Sequence, residues 1–417
     1  MQRGSEEDRK SADDRERLSD RQRHAAAVLA RVDSAELRIE KLVQGGDGLA
    51  RLEGVPILVA RTAPGDLVRI RISERRVGWA RAEVDELLES GPGRRPPPCP
   101  VFDRCGGCDL QHIEDSLQGP LKAAAARETL ERLGGLRLAT EPVLLTGEPW
   151  GYRLRAQWRV AGEGPTVRAG YFARRSHDLI PTTVCPILDP RLERELASLP
   201  DRLRNVAEPP RRLDVAVGDD GPSYAPLVEG FPHGALDLAV GELGFQFDSR
   251  TFFQAHRGLL PRLVEEVAGS HRGELAWDLY AGVGLFALAL RARYTRVTAV
   301  ESDRIAVRYL RRNARDQEAP EPIEIHNISA ESFLQHAATR PDRVVVDPPR
   351  TGLSRSVVQS LLTLRPERLT YVSCDPATLA RDLRALIPTY EPERLVFLDL
   401  FPQTAHLETV VHLAQRS

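Results

Sequence analysis

The chain has 417 residues, 41% hydrophobic, 28% charged and 6% aromatic, enough length for two to four domains and a balance that excludes a disordered or fibrous protein. No apolar run approaches the roughly 18 residues that cross a bilayer, and the N-terminus lacks the apolar stretch of a secretory signal, so a cytoplasmic protein with no membrane partner is expected. A net charge of −2, from 58 basic and 60 acidic residues, selects no nucleic-acid partner by itself, while five cysteines argue for metal or catalytic thiols over a disulfide framework.

Residues 1–33 interleave acids and bases with no apolar periodicity before Ala25, which predicts a flexible charged leader. Over 34–92, short strand-like runs are broken by glycine turns (LRIEKLV, GGDG, LARLEGVPILVA, GDLVRIRI, VGWARAEVDELL), the pattern of a small β-barrel. The breaker GPGRRPPP, Gly91 to Pro98, ends it. A central domain over 93–250 opens with the cysteine-dense loop CPVFDRCGGCDLQH and the helical stretch LKAAAARETLERLGG. From Tyr152 it becomes mainly strands, with one helix near Arg191 to Arg204. Over 251–417 apolar runs such as AWDLYA, RVTAVE, RVVVDPP, RLTYVSC and LETVVHL alternate with amphipathic helices. This alternation predicts a doubly wound α/β domain closed by a hairpin-like pair of strands.

Arginines and aromatics cluster twice. Arg69, Arg71, Arg75, Arg76 and Arg81 stand against Glu74 alone, and Arg153, Arg155, Arg159, Arg168, Arg174 and Arg175 against Glu163 alone. Trp79, Tyr152, Trp158, Tyr171 and Phe172 are interleaved with them. Such a mixture suits phosphate contact and base stacking, and it equally suits a solvated sheet face above ordinary core aromatics.

Three motif groups carry chemistry. Cys99, Cys105 and Cys108 are spaced C-x5-C-x2-C, with Cys185 farther along; Gly106 and Gly107 let thiolates converge, and four thiolates suit zinc and iron–sulfur alike. In Trp277-Asp278-Leu279-Tyr280-Ala281-Gly282-Val283-Gly284 a strand gives way to a glycine turn and a helix, with Glu301 ending the next strand where a carboxylate can accept ribose hydroxyls. Gly282, Gly284 and Ala287 also match G-x-G-x-x-A, so a dinucleotide is an alternative. Asp278 suits an ammonium group better than a pyrophosphate, and no second mononucleotide-binding half follows, which favours an adenosylmethionine-type ligand. Finally, Val346-Asp347-Pro348-Pro349-Arg350 and Tyr371-Val372-Ser373-Cys374-Asp375 deliver an acid and a thiol to the carboxyl ends of two strands.

A methyl donor and a strand-end thiol fit one reaction. Carbon 5 of uracil is too weak a nucleophile to take a methyl group until a thiolate adds to carbon 6; a base must then remove the proton at carbon 5. Phe401-Pro402-Gln403-Thr404-Ala405-His406-Leu407-Glu408 offers His406 and Glu408 for that step.

On these residues the chain resembles the RNA uracil-5-methyltransferases that modify tRNA and ribosomal RNA. DLYAGVGLFAL, DPPRTGL, SCDPATLARDL and FPQTAHLE resemble the family's signature blocks in order, from about residue 36 to the C-terminus. The resemblance implies a multidomain chain: an N-terminal TRAM/OB-like β-barrel, a central mainly-β RNA-binding domain with a [4Fe–4S] cluster on Cys99, Cys105, Cys108 and Cys185, and a C-terminal S-adenosylmethionine-dependent methyltransferase domain. It implies Cys374 as nucleophile and Glu408 as base, with Gln254, Tyr280, Gly282, Glu301 and Asp347 at the cofactor; Asp347 has the uracil as an alternative partner. RNA is the implied partner, 23S rRNA before tRNA because of the barrel, and a monomer is expected. An RNA-binding or folding factor without catalysis would need neither Cys374 nor Glu408. A cytosine-5-methyltransferase would want a cysteine in the di-proline block, and Asp347-Pro348-Pro349-Arg350 has none. Three positions depart from the family pattern. Ala281 replaces a frequent cysteine, Asp375 stands where asparagine is usual and would raise the thiol's pKa, and Ser329 replaces an acid that commonly holds the adenine.

Overall fold

The structure, a computed structural model, describes residues 19–138, 141–317 and 322–416. Its contacts divide the chain into two units, residues 1–97 with 109–122, and residues 98–108 with 123–417; the first 18 residues of the expected leader lie outside the described ones.

In the first unit, helix α1 (Asp20–Ala30) starts at Ser19, whose side chain caps it. It buries Ala25, Val28 and Leu29 in the same core as Ile57, Val68 and Ile70. The leader expectation therefore fails from Asp20 onward: three apolar residues on one face suffice to dock a short helix that cannot stand alone. Strands β1 (Ser34–Arg38), β2 (Lys41–Leu42), β3 (Gly48–Leu52), β4 (Val55–Val59), β5 (Leu67–Arg76) and β6 (Trp79–Glu89) form one sheet in the order β1-β5-β6-β4-β3-β2. The two end strands are consecutive pieces of one segment. Between them, the Ile39 N–H donates to the Asp66 carbonyl and the Glu40 N–H to the Leu49 carbonyl, so the segment is hydrogen-bonded at both ends of the sheet order.

Helix α2 (Asp115–Gly134) gives its first turns to this unit and the remainder to the second. There follow β7 (Val143–Leu145), β8 (Arg155–Ala161), β9 (Arg168–Phe172), β10 (Leu179–Pro181), helix α3 (Pro190–Leu203), β11 (Arg212–Val217), β12 (Pro222–Ala225), β13 (Leu236–Val240) and β14 (Leu243–Phe247). Among the described residues β8 to β12 make a five-stranded antiparallel sheet in the order β10-β9-β8-β11-β12, and β13 and β14 a hairpin. Trp158, fully buried, and the Leu192, Leu196, Leu199 and Leu203 stripe of α3 fill the core beneath that sheet.

The rest alternates: α4 (Leu260–Ala268), β15 (Gly273–Leu279), α5 (Leu285–Leu290), β16 (Tyr294–Val300), α6 (Arg304–Asp316), β17 (Glu324–His326), α7 (Ala330–His336), β18 (Arg343–Val346), α8 (Arg355–Leu364), β19 (Arg368–Ser373), α9 (Pro376–Leu386), β20 (Tyr390–Leu398) and β21 (Glu408–Gln415). The sheet order is β17-β16-β15-β18-β19-β21-β20-β7, parallel except that β21 runs antiparallel between β19 and β20. The doubly wound domain with a terminal hairpin is thus observed. Helices cover both faces, which is why Val344, Val345 and Val346 are all apolar and all buried. Arg343, 2% exposed, opens β18 and donates to the Val267 and Ala268 carbonyls, satisfying the last turn of α4.

Candidate active site

Topology gathers the sequence-predicted residues at one sheet edge. Register pairs Leu279 with Val346, Val346 with Tyr371 and Ser373 with Thr409. The next residues out, Tyr280 and Asp347, are therefore level with each other, Cys374 lies two residues farther along its own strand than the position level with Asp347, and the register continued from Ser373–Thr409 sets Glu408 opposite Cys374 at the end of the antiparallel ladder. This edge carries the carboxyl ends of β15, β16, β18 and β19, where open α/β sheets bind ligands.

The glycine turn begins with Tyr280 at φ +67° and Gly282 at +56°. A Cβ on Gly284, at φ +99°, would come within 2.5 Å of Leu310 Cδ1, so only glycine lets α5 pack here. At Gly282 a Cβ would meet nothing within 4 Å, so the space before the turn is open. Glu301 braces the turn: its Oε2 accepts from the Gly282 N–H at 2.9 Å and its Oε1 from the Asp303 N–H at 2.7 Å. Oε1 also accepts from the Ser302 hydroxyl at 3.4 Å, and Oε2 keeps a second lone pair for a ligand. Asp278 is fully buried, neither carboxylate oxygen has a hydrogen-bond partner among the described residues, and burial, with Asp347 nearby, holds it well above the usual carboxyl range. Gln254, 4% exposed, likewise has an unpartnered Oε1 among the described residues. Ser329 caps α7 by accepting from the Ser332 N–H.

Cys374 is half-buried, and its thiol is pushed up to about 11, first by burial and then by Glu408, with Arg350 pulling the other way. Asp375 adds to the rise, as its charge predicts, yet it is the smallest of these influences. Its carboxylate is occupied as the N-cap of α9, accepting from the Ala377 and Thr378 N–H groups at 2.9 Å each. Desolvation pushes Asp347 up to about 7, and Glu408, 2% exposed, is held well above its ordinary value by burial and by Asp347. Arg350 lowers both Cys374 and Glu408, and its Nη2 lies 3.1 Å from His406 Nε2.

Asp382 was not legible as a site residue. It sits on the buried face of α9 and accepts from the Leu353 N–H at 2.8 Å and the Tyr371 hydroxyl at 2.7 Å, fixing the loop after Asp347-Pro348-Pro349-Arg350. Its signal was an acid at a position where the apolar stripe Leu379, Ala380, Leu383 and Leu386 leaves room only for a bonded side chain.

Three of the four remaining cysteines share one apolar nucleus. Cys108, Phe102, Tyr152 and Ile187 make a small apolar nucleus, with Cys99, Cys185 and Trp150 packed against it. Cys185, pushed up to about 11 by burial, also feels the charges of Cys105 and Cys99, and accepts from the Tyr171 hydroxyl at 3.6 Å. Among the described residues no group of three or more His, Cys, Asp or Glu is placed to hold a metal ion.

The two arginine clusters part company. Across the β5–β6 ladder Arg69 pairs with Glu86 and Arg71 with Glu83, and further ion pairs join Arg69 to Glu36, Arg75 to Asp33, Arg76 to Glu74 and Arg81 to Asp47. Acids outside the stretch, together with Glu74 at Arg76, thus neutralise what read as a basic patch. On β8, Arg155, Gln157 and Arg159 share one face, opposite buried Ala156, Trp158 and Val160. Arg155 lies 5.6 Å from the centre of the Phe252 ring, which is 65% exposed, and Arg159 lies 4.4 Å from that of Phe172.

Residues 234–416 match the family model described as tRNA (Uracil-5-)-methyltransferase. The chain is 30% identical over 414 residues to a 23S rRNA (uracil(1939)-C(5))-methyltransferase of Pectobacterium atrosepticum, covering 88% of this chain and 90% of that protein. It is 31% identical to an uncharacterized RNA methyltransferase of Thermosynechococcus vestitus, covering 91% and 97%. The crystal structure of Pyrococcus abyssi tRNA (uracil-54, C5)-methyltransferase in complex with S-adenosyl-L-homocysteine shares the fold, with a TM-score of 0.68 at 24% identity over 91% of this chain and all of that one.

Proposed function

Because the chain belongs to the RNA uracil-5-methyltransferase family and is an RNA methyltransferase, we propose that it forms 5-methyluridine by Cys374 addition and Glu408 deprotonation. The observation that carries this reading is the juxtaposition of Cys374 and Glu408 beyond the Ser373–Thr409 pair. Cys374 Sγ adds to carbon 6 of uracil, giving carbon 5 enolate character; carbon 5 takes the methyl group; Glu408 removes the proton at carbon 5, and the thiolate leaves. Arg350, which lowers the Cys374 thiol and the Glu408 carboxyl alike, favours the charged form of both.

S-adenosylmethionine would supply the methyl group as a sulfonium. Gln254, Tyr280, Gly282, Glu301 and Asp347 are the residues proposed to hold it, supported by the open space at Gly282 and the spare acceptor on Gln254. Cys99, Cys105, Cys108 and Cys185 would hold a [4Fe–4S] cluster. Soft thiol donors suit it: Cys99, Cys108 and Cys185 share one nucleus, and Cys105 acts on Cys185 through its charge, while among the described residues their side chains are not set as ligands to an ion. Bound there, it would cross-link the loop to the strand sheet; methyl transfer from a sulfonium needs no electron. Anaerobically purified protein should then absorb in the visible, with the band lost in Cys105→Ser. A colourless, zinc-loaded protein overturns the cluster and leaves methylation standing.

Residues 34–92 are proposed as a TRAM-like barrel, and the Arg155, Arg159, Phe172 and Phe252 face as the RNA contact. We place the target in 23S rRNA, as the Pectobacterium relative's description states for that enzyme; tRNA is the second reading. Mass mapping of 5-methyluridine in ribosomal and transfer RNA, with and without the gene, tests both. A 23S site lost with the gene is expected. A loss confined to tRNA moves the target, and no loss in either RNA overturns the function.

A further inference from the structure

Glu408 stands at the start of β21, held on one side by its pairing with Leu398 of β20. The chain between them, residues 399–407, is a loop with its own turn. Thr404 Oγ1 donates to the Phe401 carbonyl at 2.8 Å and accepts from the His406 N–H at 3.2 Å, and Gln403, fully buried, sits at φ +68°. The far side of this loop is tied to a segment some 250 residues earlier. The Tyr152 hydroxyl donates to the Pro402 carbonyl at 2.8 Å, and Gln403 Nε2 donates to the Pro149 carbonyl at 3.4 Å.

Tyr152 itself is rigidly placed. It is 3% exposed, packs with Cys108, Phe102 and Ile187, and stacks on His256 with ring centres 4.7 Å apart at 15°. Cys374, by contrast, is carried at the end of a different strand, directly after β19. We propose that Tyr152 is a positioning residue for the proton-removal step, its hydroxyl holding Pro402 and thereby the approach of Glu408 to carbon 5. This rests on the reaction proposed above. It also gives the nucleus of Cys99, Cys108 and Cys185 a consequence at the reacting edge, since the ring that packs on Cys108 is the ring that holds the base's loop.

The two steps of the reaction separate this role from general support. Thiol addition and methylation need Cys374; release needs Glu408. Loosening the loop should leave the first intact and slow the second, so enzyme accumulates covalently on RNA. The test is Tyr152→Phe, which keeps the stack and removes one hydroxyl, run beside Glu408→Gln on unmodified target RNA. Turnover and denaturant-resistant adduct are measured together, with homocysteine-product affinity by calorimetry. Turnover is expected to fall roughly 10–100-fold, the cost of a small misplacement of a reacting group. Adduct should rise toward the Glu408→Gln level, and cofactor affinity should stay within about twofold of the parent. If adduct formation falls in step with turnover, or turnover is unchanged, the inference is overturned. If Glu408→Gln itself gathers no adduct, the proposed reaction falls and this role falls with it. Should Tyr152→Phe unfold, Gln403→Met cuts the second tie and must give the same rise in the ratio of adduct to turnover.

Discussion

Cys374→Ala should lose 5-methyluridine formation by about 10⁴-fold or more, the scale seen when a nucleophile that acts as one unit with its base is removed. No other group at this edge can replace it. Asp347 and Glu408 hold their protons above the ordinary range, and a carboxylate is a poor nucleophile toward carbon 6. The other four cysteines belong to the 98–108 loop and to residue 185. The same variant should form no covalent complex with RNA carrying 5-fluorouridine, in which the halogen at carbon 5 cannot leave as a proton does and the parent enzyme stays bound. Since Cys374 is half-buried, its loss should change stability by no more than about 1 kcal/mol, so inactivity cannot be laid to unfolding. Gel mobility of the RNA and the melting temperature check both parts. An adduct that survives in Cys374→Ala removes the thiol from the mechanism.

What the sequence made legible follows from which interactions are local. Apolar runs such as Val344 to Val346 announce strands buried on both faces, and the glycines at 282 and 284 announce the turn, because both depend on residues within a few positions. The ends of those strands then follow from parallel topology, which is why Asp347, Cys374 and Glu301 could be placed on one edge in advance. Pairing across the sheet was not legible. That Glu408 meets Cys374 depends on β21 inserting antiparallel between β19 and β20. That Arg69 and Arg71 are neutralised depends on the β5–β6 register and its bulges. Helix α1 and strand β7 were missed for a related reason: eleven and three residues give too little periodicity, and each is held by what it docks on. Asp375 shows the converse. Its charge beside the thiol was visible, while its use as a helix cap, which absorbs much of that charge, was not.

The acids at this edge predict a pH dependence of stability as well as of rate. Asp278, Asp347 and Glu408 all bind protons more tightly in the folded chain than in the unfolded one, Asp347 up to about 7 and the other two further than their ordinary values in the same direction. Their contribution is therefore complete below about pH 4 and is lost as pH rises through the folded values, because the unfolded chain sheds protons that the folded one retains. Histidines act oppositely, and lower. Burial holds His112 down at about 4 and depresses His256 and His271, so their effect is spent by pH 7. Glu266 is separate again: burial opposes its charge, but hydrogen bonds from His412 and Arg394 hold it at about 2, so its contribution fades only in acid. Above about pH 4 Glu408→Gln should gain stability over the parent by up to about 1.4 kcal/mol per pH unit, one proton's linkage, until the folded Glu408 ionises. Thermal unfolding of the two proteins over a series of pH values from about 4 upward measures it. Curves that stay parallel from about pH 4 upward would mean that Glu408 ionises in the folded chain as it does in water, and a base already ionised would need no help from Arg350. A widening gap would mean that the fold gives up stability to keep a carboxyl buried beside the thiol, which is the condition for a base strong enough to take a proton from carbon.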